Sequence, residues 1–152
     1  MENTEHSSTI PKQALLLGYG GLIPFVTLSA ATWFPASHRL VQVHEALLLY
    51  ASIILTFMGA IHWGVAMTRA LAPNSLQLTI SIIPALIAWF ASFTSQSVNY
   101  VILYISFAGL CLIDSKSSKQ GDLPDWYPKL RVPLTTVVVI SLISAHLATS
   151  YR

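Results

Sequence analysis

Long apolar stretches separated by short polar ones dominate this chain. A helix that crosses a bilayer needs about 20 mostly apolar residues. Five segments meet or approach that length, over residues 13–34, 45–68, 76–93, 98–113 and 132–149. The pattern therefore predicts an all-α membrane protein, a bundle of five transmembrane helices.

The predicted organisation is one membrane domain with two short tails. Residues 1–12 form a polar tail, 13–149 the five-helix transmembrane domain, and 150–152 a second tail. Pro84 lies within the third segment, where it removes a backbone donor and is expected to kink the helix. The fourth segment is the shortest, so the sequence leaves open whether it crosses fully. A sizeable loop is predicted over 114–131.

Composition narrows the class of protein further. Of the residues, 54% are apolar and 9% are charged, against about 25% charged residues in an ordinary soluble domain. The net charge is +2, without a run of like charges, so nucleic-acid binding is not expected. Cys111 is the single cysteine, which excludes an intramolecular disulfide.

The distribution of lysine and arginine predicts an orientation, because short cytoplasmic loops retain basic residues. With five spans, one side of the membrane holds two basic residues, Arg39 and Arg152. The other side holds six: Lys12, Arg69, Lys116, Lys119, Lys129 and Arg131. We therefore expect a cytoplasmic amino terminus and an external carboxyl terminus.

Small residues recur along the second segment at helical spacing. Thr56, Ala60, Gly64 and Thr68 are each four positions apart and so lie on one face of a helix. Small side chains let another helix approach closely in a membrane. This small-residue ridge predicts a helix-packing surface.

A candidate polar site lies near the predicted cytoplasmic end of the same segment. His62 faces away from the ridge, and an ionisable residue in a membrane suggests a function by default. Arg69 follows two turns later, and Asp114 ends the fourth segment at the same membrane level. The hypothesis is that these three converge beneath the loop that contains Trp126. A structural histidine and solvated helix ends remain the alternative interpretation.

The predicted external side carries a rival set of histidines. His38 and His44 precede or start the second helix, and His146 is near the end of the fifth. Facing histidines are ligands for haem, zinc or copper, so a haem or metal binder is a further alternative. The sequence contains no nucleotide-binding glycine loop and no nucleophilic serine motif. We therefore expect neither enzymatic activity nor a bound cofactor.

Three stretches resemble a known family: GGLIPF over 20–25, GAIHWG over 59–64 and LPDWYPKLRVPLT over 123–135. The chain is similar to the family catalogued as domain of unknown function 3429, the transmembrane protein 69-like proteins of bacterial inner membranes and mitochondria. The resemblance implies a small multi-span membrane protein of unassigned activity, with no catalytic residue to transfer. The family motifs contain His62, Trp63, Trp126, Tyr127 and Arg131.

The first hypothesis for function is a non-enzymatic accessory or assembly factor that acts through helix contacts along the ridge. The alternative is a small transporter or proton-handling protein with the site at His62, Arg69 and Asp114. Expected partners are the lipid bilayer and other membrane proteins or a second copy. Transit peptides are poor in acidic residues, whereas Glu2 and Glu5 lie near the start. We therefore expect a multi-pass protein of the bacterial inner membrane, with the mitochondrial inner membrane as the alternative.

Overall fold

The structure, a computed structural model, describes residues 9–34, 39–68 and 75–151. Across these ranges the ordered elements are helices, and no strand is formed. The elements are α1 Lys12–Gly20, α2 Leu22–Ala31, α3 Leu40–Thr68, α4 Ser75–Ala91, α5 Gln96–Lys119 and α6 Trp126–Ser150. The all-α prediction is confirmed.

Four helical segments of the described chain are long and apolar enough to cross a membrane: Lys12–Ala31, Leu40–Thr68, Gln96–Lys119 and Trp126–Thr149. The first of these contains both α1 and α2. The apolar part of α4, Gln77–Ala91, is shorter. At about 1.5 Å per residue, the 17 residues of α4 rise about 26 Å, slightly less than the hydrocarbon thickness of about 30 Å. The chain is thus an integral membrane protein.

The first segment is divided at Gly21, between α1 and α2. Pro24 follows three residues later and has no backbone N–H to donate to the carbonyl of Gly20, four residues before it. The adjacent carbonyl of Gly21 accepts a hydrogen bond from the Tyr50 hydroxyl on α3, at 3.0 Å. A proline thus interrupts the helix, and a side chain of the neighbouring helix satisfies one carbonyl at the interruption.

The structure differs from the sequence prediction between the fourth and fifth segments. Helix α5 has 24 residues and continues past Asp114 to Lys119, and α6 begins at Trp126 instead of Val132. The connection is therefore 120–125 and not 114–131. Helix α5 continues through polar sequence because Asp114 and nearby serines are buried in protein contacts instead of lying in water.

A tight turn reverses the chain after α5. Gly121 has φ of 78°, a left-handed conformation that glycine adopts without steric cost. The N–H of Gly121 donates to the Ser118 carbonyl and the N–H of Asp122 to the Ser117 carbonyl, each at 2.9 Å. This pair of bonds is the Schellman motif that ends many helices. It returns the chain so that α6 packs along α5.

The centre of the bundle is apolar and tightly packed. Phe25 on α2 meets the ring of Phe107 on α5 edge to face, with centroids 6.0 Å apart. Gly59 on α3 lies against α4, where a Cβ atom would come within 2.8 Å of both Pro84 Cγ and the Ser81 carbonyl oxygen. The absence of a side chain at Gly59 therefore allows the two helices to approach closely.

Candidate functional site

Asp114 lies at the centre of a buried group of polar side chains from three helices. Its Oδ1 lies 2.8 Å from His62 Nε2 on α3, and its Oδ2 accepts a hydrogen bond of 2.9 Å from Arg131 Nε on α6. The three side chains are 0%, 1% and 5% exposed, in the order Asp114, His62, Arg131. We call these three residues, with Tyr127, the polar cluster.

Tyr127 completes the cluster from the first turn of α6. Its hydroxyl lies 3.5 Å from Asp114 Oδ2, and its ring meets that of Trp126 edge to face with centroids 6.0 Å apart. Tyr127 and Arg131 are four residues apart, so they lie on the same face of α6. That face turns both side chains towards Asp114.

The charges of the cluster are balanced inside the protein. Arginine keeps its charge under all ordinary conditions, and Asp114 supplies the opposite charge at hydrogen-bond distance. Burying such a pair costs several kcal/mol per ion in desolvation, which the mutual attraction offsets only with good geometry. Arg131 Nη2 is also buried and has no hydrogen-bond acceptor among the residues that the structure describes. The cluster therefore contains a donor that no described residue of the protein uses.

The contact between His62 and Asp114 gives the imidazole a defined role. A carboxylate only accepts hydrogen bonds, so Nε2 carries the proton that points at Asp114 Oδ1. In the neutral imidazole Nδ1 is then the basic nitrogen, able to take up a second proton. The arrangement of a carboxylate that orients a histidine is suited to proton transfer.

The structure brings together some of the residues predicted from sequence. His62, Asp114, Tyr127 and Arg131 meet in the cluster, with Trp126 beside Tyr127. Trp63, also predicted for this site, is 44% exposed and is not among the cluster's hydrogen-bond partners. Arg69, the predicted cation of the site, lies outside the described residues, and Arg131 provides the guanidinium that contacts Asp114.

The sequence identified Arg131 as a residue of the family motif but predicted that it lies in a loop. The ion pair between Arg131 and Asp114 was therefore not predicted. The signal was the spacing of Tyr127 and Arg131, which indicates one helical face once α6 begins at Trp126. A second contact was also missed. Gln77 on α4 donates to Asp122 Oδ2 at 2.9 Å, which ties α4 to the turn beside the end of α5.

A cavity of about 330 Å³ adjoins the cluster. Tyr127, Arg131 and Trp126 form part of its wall, and the other residues of the wall are apolar or glycine. These come from α1, α2, the residue between those two helices, α3 and α6: Ala14, Leu17, Gly18, Gly21, Leu22, Phe25, Ile54, Phe57, Met58, Ile61, Leu130, Leu134 and Val138. The cavity is therefore apolar with polar groups contributed by the cluster.

The small-residue ridge lies on the outer surface of α3. Thr56, Ala60, Gly64 and Thr68 are all exposed, and nothing lies within 4 Å of where a Cβ of Gly64 would be. Among the described residues, none of the chain's own helices covers this ridge. The close approach within the bundle uses Gly59 instead.

Two of the histidines proposed for haem or metal already have protein partners. His44 and the Tyr100 hydroxyl share a hydrogen bond of 2.7 Å, and His146 stacks on the Tyr100 ring with centroids 5.8 Å apart. His38 lies outside the described residues. Within the described ranges, no group of three or more His, Cys, Asp or Glu side chains is placed to hold a metal ion.

Comparison with known proteins gives a family and two relatives. The family described as Protein of unknown function (DUF3429) matches residues 10–147. Transmembrane protein 69 of Xenopus tropicalis is 33% identical over an alignment of 148 positions that covers 92% of this chain and 56% of that protein. Transmembrane protein 69 of Mus musculus is 27% identical over 135 residues, 88% of this chain and 55% of that protein. The chain spans about half the length of these curated relatives, and no solved structure matches it.

Proposed function

We propose that this chain, which belongs to the family Protein of unknown function (DUF3429), is a small proton-handling or transport protein of the membrane. Its site is the polar cluster. The observation that carries the proposal is the 2.8 Å contact between His62 Nε2 and Asp114 Oδ1 at nearly complete burial.

Burial of the cluster favours a function over a purely structural role. A buried ion pair is weak support for stability, because apolar side chains of similar volume are often as stabilising. Ionisable residues within membrane helices are costly and mark proton or substrate pathways. Of the side-chain types in the cluster, histidine is the one that commonly acts as a proton shuttle. His62 is therefore the proposed proton carrier, and Asp114 the residue that orients it.

The test is proton flux in vesicles that contain the purified protein, an internal pH-sensitive dye and an imposed potassium diffusion potential. His62→Gln keeps an amide that can donate to Asp114 but cannot carry the proton of an imidazole. His146→Gln makes the same chemical change on α6 beside Tyr100, away from the cluster. We expect flux with the wild type and His146→Gln, and a loss of flux with His62→Gln.

Three results would overturn the proposal. The first is wild-type flux no greater than that of empty vesicles. The second is equal flux in the wild type and His62→Gln, with both proteins folded and inserted to the same extent. The third is a loss of flux in both glutamine variants, which would contradict the specific role proposed for His62.

A second candidate function is an accessory or assembly factor that binds partner helices, and exposure of the ridge favours it. Thr56, Ala60, Gly64 and Thr68 offer a surface that another membrane helix can approach closely. The partner is another membrane protein or a second copy of this chain.

Purification in mild detergent tests this candidate. Replacing both Ala60 and Gly64 with leucine fills the ridge, and Ala108→Leu places the same side chain at an exposed position of α5. We expect the wild type and Ala108→Leu to retain a partner or a dimer that the ridge variant loses. A wild-type protein recovered only as a monomer would argue against this function. The proposed location remains the bacterial inner membrane, with the mitochondrial inner membrane as the alternative.

A further inference from the structure

The cavity beside the polar cluster has the character of a binding site for an amphiphile. Its volume of about 330 Å³ lies in the range of small-molecule sites, which are mostly apolar with a few placed polar groups. Apolar wall residues such as Leu17, Phe25 and Met58 suit a hydrocarbon tail. Tyr127 and Arg131 contribute the polar groups of the wall.

Arg131 lies in the wall of this cavity and has a hydrogen-bond donor that meets no acceptor among the described residues. Its Nε is bonded to Asp114 at 2.9 Å, whereas Nη2 is buried and meets no acceptor among the described residues. The whole side chain is 5% exposed. A buried polar group without a partner is costly, so an acceptor supplied by a bound molecule would remove that cost.

The charge balance of the cluster selects the head group of such a molecule. Asp114 already neutralises Arg131, so an anionic head group would leave a net negative charge in the membrane interior. A buried charge without a counter-ion is strongly disfavoured. A neutral carbonyl oxygen accepts a hydrogen bond without adding charge.

We propose that this cavity binds a neutral, lipid-soluble molecule whose carbonyl head group accepts a hydrogen bond from Arg131 and whose apolar tail lies along α1, α2 and α3. Prenylated quinones and ester-linked lipids share this chemistry. As the substrate class of the same cluster, the inference rests on the proposed function. Its test is a binding measurement, which succeeds or fails independently of proton flux.

The probe is decylubiquinone, a short-tailed quinone, added to the purified protein in detergent. Trp126 is in the cavity wall, so a bound quinone is expected to quench its fluorescence. We expect saturable quenching in the wild type and loss of the saturable part in Trp126→Phe. Non-saturable quenching that is the same in both proteins would overturn the proposal, since it reports only partition into detergent.

A cavity-filling variant separates binding in the cavity from binding elsewhere. Ala14 lies in the wall, and Ala14→Phe is expected to weaken quinone binding by about tenfold or more. Ala108→Phe adds the same group at an exposed position of α5 and is expected to leave binding unchanged. Ala14→Leu serves in the same way if the larger side chain prevents folding. Equal affinity in the wild type and the folded Ala14 variant would overturn the proposal.

Competition identifies the head group. Dodecylbenzene lacks the carbonyl, and laurate carries a charge, so neither is expected to displace the quinone. Displacement by dioleoylglycerol would assign the site to ester lipids, and its absence to quinones, both within the proposed class. Displacement by laurate or dodecylbenzene at equal concentration would overturn the choice of a neutral carbonyl.

His62→Gln keeps the two tests apart, because His62 is not part of the cavity wall. We expect this variant to bind the quinone as the wild type does, even though its proton flux is lost. Quinone binding in the absence of any wild-type flux would contradict the proposed proton-handling function but not the proposed binding site. Proton flux without quinone binding would contradict the binding site but not the proton-handling function.

Discussion

Arg131 Nε and Asp114 Oδ2 are 2.9 Å apart and join α6 to α5 across 17 positions of sequence. Both side chains are almost completely buried, and Asp114 also contacts His62 on α3. Three helices that are long and apolar enough to cross a membrane, α3, α5 and α6, are therefore connected through a single carboxylate. Changes at Asp114 should affect the stability of the bundle as well as any activity of the cluster.

Asp114→Asn should lower the free energy of unfolding by about 3–5 kcal/mol, because it leaves the charge of Arg131 buried without a counter-ion. The measurement is thermal or denaturant unfolding in detergent. Asp125→Asn is the matched control, since Asp125 is exposed, and should change stability by no more than about 0.5 kcal/mol.

The double variant Asp114→Leu/Arg131→Met shows whether the unpaired charge causes that loss. Replacing both members of a buried ion pair with apolar residues is often neutral or stabilising. We expect the double variant to recover most of the stability that Asp114→Asn loses, while proton flux stays absent. If both unfold alike, the lost stability does not come from the unpaired arginine.

Gly59→Ala should lower the free energy of unfolding by about 1–3 kcal/mol, the usual range for overpacking. The added Cβ would lie 2.8 Å from Pro84 Cγ and from the Ser81 carbonyl oxygen, so α3 and α4 would have to separate. Gly64→Ala is the control on the same helix, where nothing lies within 4 Å. Equal unfolding of the two variants would show that the contact between α3 and α4 does not limit stability.

Ser29→Ala should weaken the contact between α2 and α6. The Ser29 hydroxyl is buried and donates to the Ser141 carbonyl at 2.8 Å, and such interhelical bonds contribute about 0.6–1.5 kcal/mol. Thr27→Ala removes a hydroxyl that bonds within its own helix, to Ile23 at 2.8 Å, and should have the smaller effect on unfolding. The opposite order of stability would contradict this assignment.

Labelling of single cysteines with a membrane-impermeant maleimide tests the predicted topology. In a Cys111→Ser background, Thr9→Cys reports the position before α1 and Gln120→Cys the turn after α5; both positions are exposed. If α4 crosses the membrane, an even number of spans separates the two positions, and both should label from the same, cytoplasmic, side. Labelling from opposite sides would show that α4 does not cross.

The helical membrane fold followed from the sequence alone, because the length of an apolar segment reports directly on the thickness it can cross. The ends of α5 and α6 did not follow, because hydropathy records the polarity of a side chain and not its partner. Asp114 appeared to end a span, yet its contacts with His62 and Arg131 allow the helix to continue.

The candidate site divides in the same way. Membrane level predicted that His62 and Asp114 lie near each other, since helix length and topology place residues along the bilayer normal. Their actual contact, the guanidinium of Arg131 and the outward position of the ridge depend on the rotation of each helix about its axis. Packing sets that rotation, as at Gly59 against Pro84. The sequence by itself determined the membrane class and predicted one common level for His62 and Asp114, whereas only the tertiary structure decided which side chains meet.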